Sequence, residues 1–436
     1  MSESLKQAAT EIFLRALQDC SIERAFSRVV NIEAGRLWSG GELIAPLDAV
    51  KRVRILAVGK AAAPMLRAWI GTVSLTPSDV RGVLIAPDRP EVVPEAFAFF
   101  AGGHPIPNQA SFAGARAALD LMREAAEEPQ GTLCVFLVSG GGSSMMELPH
   151  DVTISLADTV AFHRCLVASG ASIVDMNCVR KHFSAVKGGR LAMAAGSATK
   201  LSLFVSDVPA EHLDALASGP TVPDTTTVGE CRDIIRRYRM KDRFPDSVRT
   251  FFDGEIAETP KPGELDGSAH VLLSSMQLQE AAREVADGLG FAVVVDNSCD
   301  DWPYDVAAEY LLGRLRELRR ERRRVCLISC GEVSVKLPPM LDESARGGRN
   351  QQFALHVATR LTRDEAPVAV LSGGSDGVDG NSPAAGAVVD ETTADDAAVE
   401  ALRTFSAYEY LRAREAVLVT GPTEQNLRDL RLFLAE

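Results

Sequence analysis

One recurring unit constrains this chain more than anything else in it. Short runs of residues, apolar at nearly every position, break off in glycine or a polar residue. They lie at Val53–Val58, Gly82–Ala86, Leu133–Val138, Leu201–Ser206, His270–Ser274, Phe291–Val295, Val325–Ser329, Val368–Ser372 and Val417–Thr420. A strand with one wet face alternates apolar and polar residues. Runs that are apolar throughout read as strands buried on both faces, as in parallel sheets covered by helices. Helical stretches separate the runs, so the pattern predicts an α/β fold with right-handed crossovers. The first helical stretch is amphipathic, with Leu5, Ile12, Phe13, Ala16, Leu17 and Cys20 on one stripe.

At ~100–200 residues per domain, 436 residues suggest two domains, or three at a stretch. The segment around Pro245–Pro262 is rich in Pro, Gly and acid, and strand patterns resume after it. We expect an N-terminal domain over 1–250 and a smaller C-terminal one over 265–436.

Composition removes several functions. The net charge of −13 opposes a nucleic-acid backbone. It leaves room for a small anionic substrate in a locally positive pocket. The eight cysteines include no CxxC pair, and several lie in apolar runs, which favours a reducing cytoplasm over a disulfide framework. No apolar run reaches the ~18 residues of a membrane span, and the N-terminal stretch does not read as a signal peptide.

The residues that end the runs carry the functional signal, because open parallel sheets bind ligands at the carboxyl ends of their strands. Leu133–Val138 runs into Ser139, Gly140, Gly141, Gly142, Ser143 and Ser144. Three glycines let the backbone turn its N–H groups outward, and the serines add hydroxyl donors. A phosphate suits such a nest, the more so if Met145 opens a helix. The other reading is a flexible turn. Neither a Walker A ending nor GxGxxG is present.

Lys60 follows Val53–Val58 and stands before a helical run that contains Pro64. A cation there opposes the helix dipole, and a bound anion would resolve the conflict. Arg349 repeats the pattern after Gly347 and Gly348, with a guanidinium able to grip a carboxylate or phosphate bidentately. For both, the alternative is a solvated cation in a loop. Asp207 ends Leu201–Ser206, where its charge is costly unless a metal or cation meets it. Asp376 and Asp379 are further acid candidates, although Asp-Gly also favours plain turns. The basic residues Arg180, Lys181, His182, Lys187 and Arg190 read mostly as a solvated helix face, with room for one or two at a site. The arginine-rich stretch 314–324 reads as a solvated helix end.

Taken together, these segments resemble the glycerate 2-kinase family. The matching pieces include Val58-Gly-Lys-Ala61, Gly102-Gly-His-Pro-Ile-Pro107, Ser139-Gly-Gly-Gly-Ser143, Val179-Arg-Lys-His182, Ser206-Asp-Val-Pro209, Ala217-Ser-Gly-Pro-Thr221, Cys330-Gly-Glu332, Gly347-Gly-Arg-Asn-Gln351 and Asp376-Gly-Val-Asp-Gly380. They keep the family's order from about residue 55 to 425. The resemblance implies a Rossmann-like three-layer N-terminal domain, a smaller MOFRL-like α/β C-terminal domain and an active-site cleft between them. It implies ATP and Mg²⁺ as cofactors, D-glycerate as substrate and 2-phosphoglycerate as product. It makes Lys60 and Arg349 the active-site cations.

On this reading the 139–144 loop holds ATP phosphates. Asp207 holds Mg²⁺ or orients the 2-hydroxyl. Glu332 and Asp376 are further candidates for nucleotide or metal contact. Two loops depart from the family's pattern, at Glu424-Gln425 and Asn381-Ser382. The alternatives are an NAD(P)H-dependent hydroxypyruvate reductase and a kinase of a related small hydroxy acid. No membrane or nucleic-acid partner is expected, and oligomeric state stays open between a monomer and a homodimer.

Overall fold

The computed structural model describes residues 4–73, 79–206, 213–338, 340–342, 344–365 and 367–436. Its first helix, α1 (Leu5–Asp19), opens with a capping box: Ser4 accepts from the Gln7 amide, and the Gln7 side chain accepts from the Ser4 amide. Two compact units then divide the chain. One is Ile22–Leu272; the other joins Met1–Ser21 to Leu273–Glu436.

The Ile22–Leu272 unit begins with a two-turn helix over Ile22–Val29, followed by an antiparallel meander over Val30–Pro46. Its main sheet uses β1 (Arg52–Val58), β2 (Asp79–Ala86), β3 (Phe97–Ala101), β4 (Thr132–Ser139), β5 (Thr199–Val205) and β6 (Ser268–Leu273). The spatial order is β3-β2-β1-β4-β5-β6, with β1 to β5 parallel. This is the order of a doubly wound sheet, whose direction of winding reverses between β1 and β4. All eight residues of β4 are buried, which explains why its sequence does not alternate.

Helix α2 (Ala62–Thr72) packs on β1, β2 and β4. Helix α3 (Gln109–Glu127) lays Ala115, Ala118 and Met122 over Leu56, Val58, Phe136 and Val138. Burying a side chain the size of Phe136 contributes ~1.5–3 kcal/mol. Two later helices matter for the site, the single turn α4 (Gly142–Met145) and α5 (Ile173–Phe183).

The other unit contains α6 (Ser275–Gly288), α7 (Tyr304–Glu321) and α8 (Arg349–Ala358). Its strands are β7 (Ala292–Val295), β8 (Val325–Cys330), β9 (Val368–Gly374), β10 (Gly386–Asp390), β11 (Val417–Leu418) and β12 (Asp429–Ala435), in the order β7-β8-β12-β9-β10-β11. Strand β12 is antiparallel to both β8 and β9. The carboxyl ends of β8 and β9 therefore flank the amino end of β12.

Helix α1 departs from the expected 1–250 grouping. It packs against α6, β9, β10 and β12, with the Phe13 ring beside Gly373. Its stripe of Ile12, Phe13 and Ala16 is fully buried there.

All eight cysteines are buried and free. Among the described residues no helix is long and apolar enough to cross a membrane.

Candidate functional site

In the Ile22–Leu272 unit, two of the sequence-selected segments leave adjacent strands at the point where the winding reverses. After β1 the chain turns through Gly59 at φ +114°, and a Cβ there would lie 2.4 Å from Ser139 Oγ. Glycine is required by both the angle and the space. Ser139 is buried. Its hydroxyl accepts from the Ala61 amide at 3.0 Å and lies 3.3 Å from the Val58 carbonyl, to which it donates. The Lys60 amide donates to the Gly140 carbonyl at 2.9 Å. Ser139 thus ties the two turns together, which is a different job from the phosphate contact the sequence suggested. Lys60 sits exposed on the resulting platform, two residues before α2, with Pro64 in that helix's first turn.

The loop after β4 differs from expectation in two ways. Met145 ends a single helical turn and does not open a helix, so little macrodipole stands behind the loop. The serine hydroxyls are also engaged inside the protein. Ser143 Oγ lies 2.9 Å from Ser218 Oγ, and Ser144 Oγ donates to the Gly141 carbonyl at 3.4 Å. What the loop leaves unused is backbone: the amides of Gly141, Gly142 and Ser143 find no acceptor among the described residues.

Gly141 has φ +85°, and a Cβ on it would meet Met145 Cε, His104 Cδ2 and Lys60 Cγ at 3.0–3.3 Å. The Lys60 stem and the His104 ring therefore converge on this glycine. His104 was legible only as part of the Gly102–Pro107 motif, which suggested no role for it. Gly142 is pressed against Ala217, with 2.7 Å between its ideal Cβ and the alanine's. Ala217, Ser218 and Gly219 are all left-handed, at φ 50°, 59° and 60°. Two non-glycine residues in that region cost of order 1–3 kcal/mol each and persist only where the surroundings impose them.

The basic stretch on α5 is not the solvated face the sequence suggested. Lys181 is buried and pairs with Asp214 at 2.5 Å and Asp224 at 3.1 Å. Lys187, just beyond the helix, is fully buried against Glu147. His182 is buried too, with its Nδ1 2.8 Å from the Cys178 carbonyl. The arginine-rich stretch on and after α7 does follow expectation, with Arg314 paired to Glu317 and Arg316 to Glu365 at the surface.

In the other unit, Arg349 opens α8. Its Nε donates to Asp429 Oδ2 at 2.6 Å and its Nη2 to Asp429 Oδ1 at 3.0 Å, while Glu332 Oε1 lies 2.8 Å from Nη2. The sequence reading offered Arg349 as a cation awaiting an anion. It is instead gripped by the first residue of β12 and by the residue that follows Gly331 after β8.

Asp379 caps the same helix. Its carboxylate accepts from the Asn350 and Gln351 amides at 3.0 and 2.8 Å. Burial nonetheless pushes its pKa up to about 6. Gly348 is needed beside it, because a Cβ would fall 2.3 Å from the Asp379 carboxyl. Asp376 is half-buried and accepts from the Val378 amide at 3.1 Å. Arg349, Asp376 and Asp379 line a cavity of about 600 Å³, walled also by Val333, Leu337 and Phe405. Asp207 lies outside the described residues.

Comparison with known proteins gives a consistent result. A family model described as a domain of unknown function (DUF4147) matches residues 8–253, and the MOFRL family model matches 325–429. A protein of Agrobacterium vitis named putative hydroxypyruvate reductase is 32% identical over 88% of this chain and 87% of its own. A glycerate 2-kinase of Pyrococcus horikoshii is 33% identical over 87% of this chain and 86% of its own. The crystal structure of a glycerate kinase from Thermotoga maritima superposes with a TM-score of 0.84 at 30% identity, covering 99% of both chains.

Proposed function

The chain belongs to the glycerate kinase family, and we propose that it transfers the γ-phosphoryl group of ATP to the 2-hydroxyl of D-glycerate, giving 2-phosphoglycerate and ADP. The observation that carries this reading is the junction of β1 and β4. There, at the switch point of a doubly wound sheet, Lys60 and a run of amides without an acceptor among the described residues share one hydrogen-bonded platform. Phosphoryl transfer asks a protein mainly for positioning and for positive charge on the moving group.

In this mechanism the amides of the 139–144 loop hold ATP phosphates. Ser139 and Ser144 shape the loop. Lys60 neutralises charge on the moving phosphoryl group. Arg349, oriented by Asp429 and Glu332, meets the second anion. The glycerate 2-hydroxyl oxygen forms the new P–O bond as the bond to ADP breaks, its proton leaving to Asp207 or to water; Asp207 would orient that hydroxyl or, alternatively, would hold Mg²⁺. Magnesium takes oxygen donors, usually one or two carboxylates with phosphate oxygens and water. Asp207 and Asp376 are of that donor type, and the ion would neutralise the ATP phosphates.

The test is purified protein with ATP, Mg²⁺ and D-glycerate, the product identified by ³¹P NMR. The expected signal is 2-phosphoglycerate; 3-phosphoglycerate would overturn the position of transfer. Oxidation of NADH by hydroxypyruvate without ATP would favour the reductase reading carried by the Agrobacterium relative's name.

A further inference from the structure

Behind the 139–144 loop lies a buried charge cluster that the mechanism above leaves unused. Glu147, His163 and Lys187 are almost wholly inaccessible. Lys187 Nζ donates to Glu147 Oε2, and His163 Nε2 lies 2.8 Å from the same oxygen. Burial pushes the His163 imidazole below its ordinary pKa, so the ring is neutral near pH 7. Arg180 joins the cluster from α5. Burial depresses its guanidinium, and Glu147 is the carboxylate that partly offsets this.

The Glu147 carboxylate is already engaged by Lys187 and His163. Arg180 is half-buried and has no carboxylate within ion-pair distance among the described residues. A cation partly withdrawn from water without a partner is costly. Arg180 Nη1 donates to Asn177 Oδ1 at 3.1 Å, but its Nε is buried without a hydrogen-bond partner.

The same Asn177 oxygen links the arginine to the loop. It accepts from Ser218 Oγ at 3.2 Å, and Ser218 Oγ lies 2.9 Å from Ser143 Oγ. Since Ser218 directs its proton at Asn177, the proton between the two serines belongs to Ser143. Arg180 is therefore oriented by a residue that also fixes the phosphate loop, and it has donors to spare. Guanidinium donors left in this state suit one planar or tetrahedral oxyanion.

We infer that Arg180 is an oxyanion-binding residue of the site, held in place by Asn177. It would receive either the carboxylate of the hydroxy acid or a phosphate of the nucleotide. The inference rests on the kinase reading for the identity of those two anions.

The experiment uses the full chain and its R180Q and R180K variants. D-Glycerate and ATP are each titrated by calorimetry, and KM is measured for each. R180Q should weaken one ligand on the order of 100-fold and leave the other unchanged, with R180K between the two. A loss confined to D-glycerate assigns the carboxylate, and one confined to ATP assigns the phosphate. Unchanged affinity for both, with only a lower melting temperature, overturns the inference. If R180Q does not fold, R180K reads the same arms, and its unchanged affinity for both ligands has the same meaning. A wild-type protein that binds both ligands without turnover would sink the kinase reading while the binding arms still decide the role of Arg180. If the wild type binds neither, both ideas fall.

Discussion

Lys60 and Arg349 share a sequence cue, a basic residue beside glycine just before a helix, yet the fold treats them in opposite ways. Lys60 is exposed and pairs with no carboxylate among the described residues. Arg349 is locked by Asp429 and Glu332 before any ligand arrives. The cue shows that a cation will stand where a helix begins, and says nothing about its counter-charge. Asp429 lies 80 residues along the chain from Arg349, on a different strand. A free lysine can follow a phosphoryl group as it moves. An arginine clamped by two carboxylates can only be a fixed point of charge.

The sharpest way to break this contrast is Lys60→Ala. Losing a cation that acts on the moving phosphoryl group should lower kcat on the order of 10³–10⁵-fold. Because the side chain is exposed, the melting temperature should hardly change. Near-normal turnover in a steady-state assay would remove Lys60 from the mechanism.

Glu147→Gln comes next in size. It strands Lys187 in a dry interior and should cost about 3–5 kcal/mol by urea denaturation. The same variant has a pH signature. Burial alone would raise the Glu147 pKa, but Lys187 and His163 outweigh it and hold the carboxyl at about 2. Its stabilising contribution is present above the ordinary value near 4.5 and is lost as pH falls towards 2. Wild-type stability should decline more steeply than that of E147Q across that window.

Asp429→Asn should have a smaller effect, on the order of 2 kcal/mol. Arg349 is about one-third exposed, so water partly replaces the lost partner. If D429N instead leaves urea stability unchanged, the clamp on Arg349 contributes nothing to folding, and only its orienting role is left.

The smallest expected effect is at Asp379, where the shift runs the other way. Its folded-state value is raised to about 6, so the native state holds the proton more tightly. Stability from this group should fall as pH rises from about 4 to 6, and Asp379→Asn should flatten that slope. A D379N melting curve that tracks the wild type from pH 4 to 6 would mean the carboxyl titrates normally.

The sequence made the strands readable because double-sided burial leaves no polar positions in them. It also located the turns at Gly59 and Gly348, where a Cβ has no room. It did not reveal partners distant in sequence. Lys181 and Lys187 looked solvated because Asp214, Asp224 and Glu147, which neutralise them, lie 33 to 43 residues away. Ser143 looked like a free donor because Ser218 is 75 residues off. The stripe on α1 was plain, but no periodicity could say which sheet it covers.

That last placement has a consequence for how the protein is made. The unit that holds α1 is split in sequence, with the whole Ile22–Leu272 unit inserted in its middle. Its sheet closes around β12, which lies between β8 and β9. A ribosome adding ~5–20 residues per second needs roughly 20–80 s between finishing α1 and finishing β12. Through that interval Ile12 and Phe13 have no sheet to cover. The inserted unit can complete its own core while the flanking one waits, so the nascent chain carries α1 with its apolar stripe unpartnered in the meantime. Loss of Asp429–Ala435 would be felt more than 400 residues away in sequence, at α1, as a helix with less to dock on.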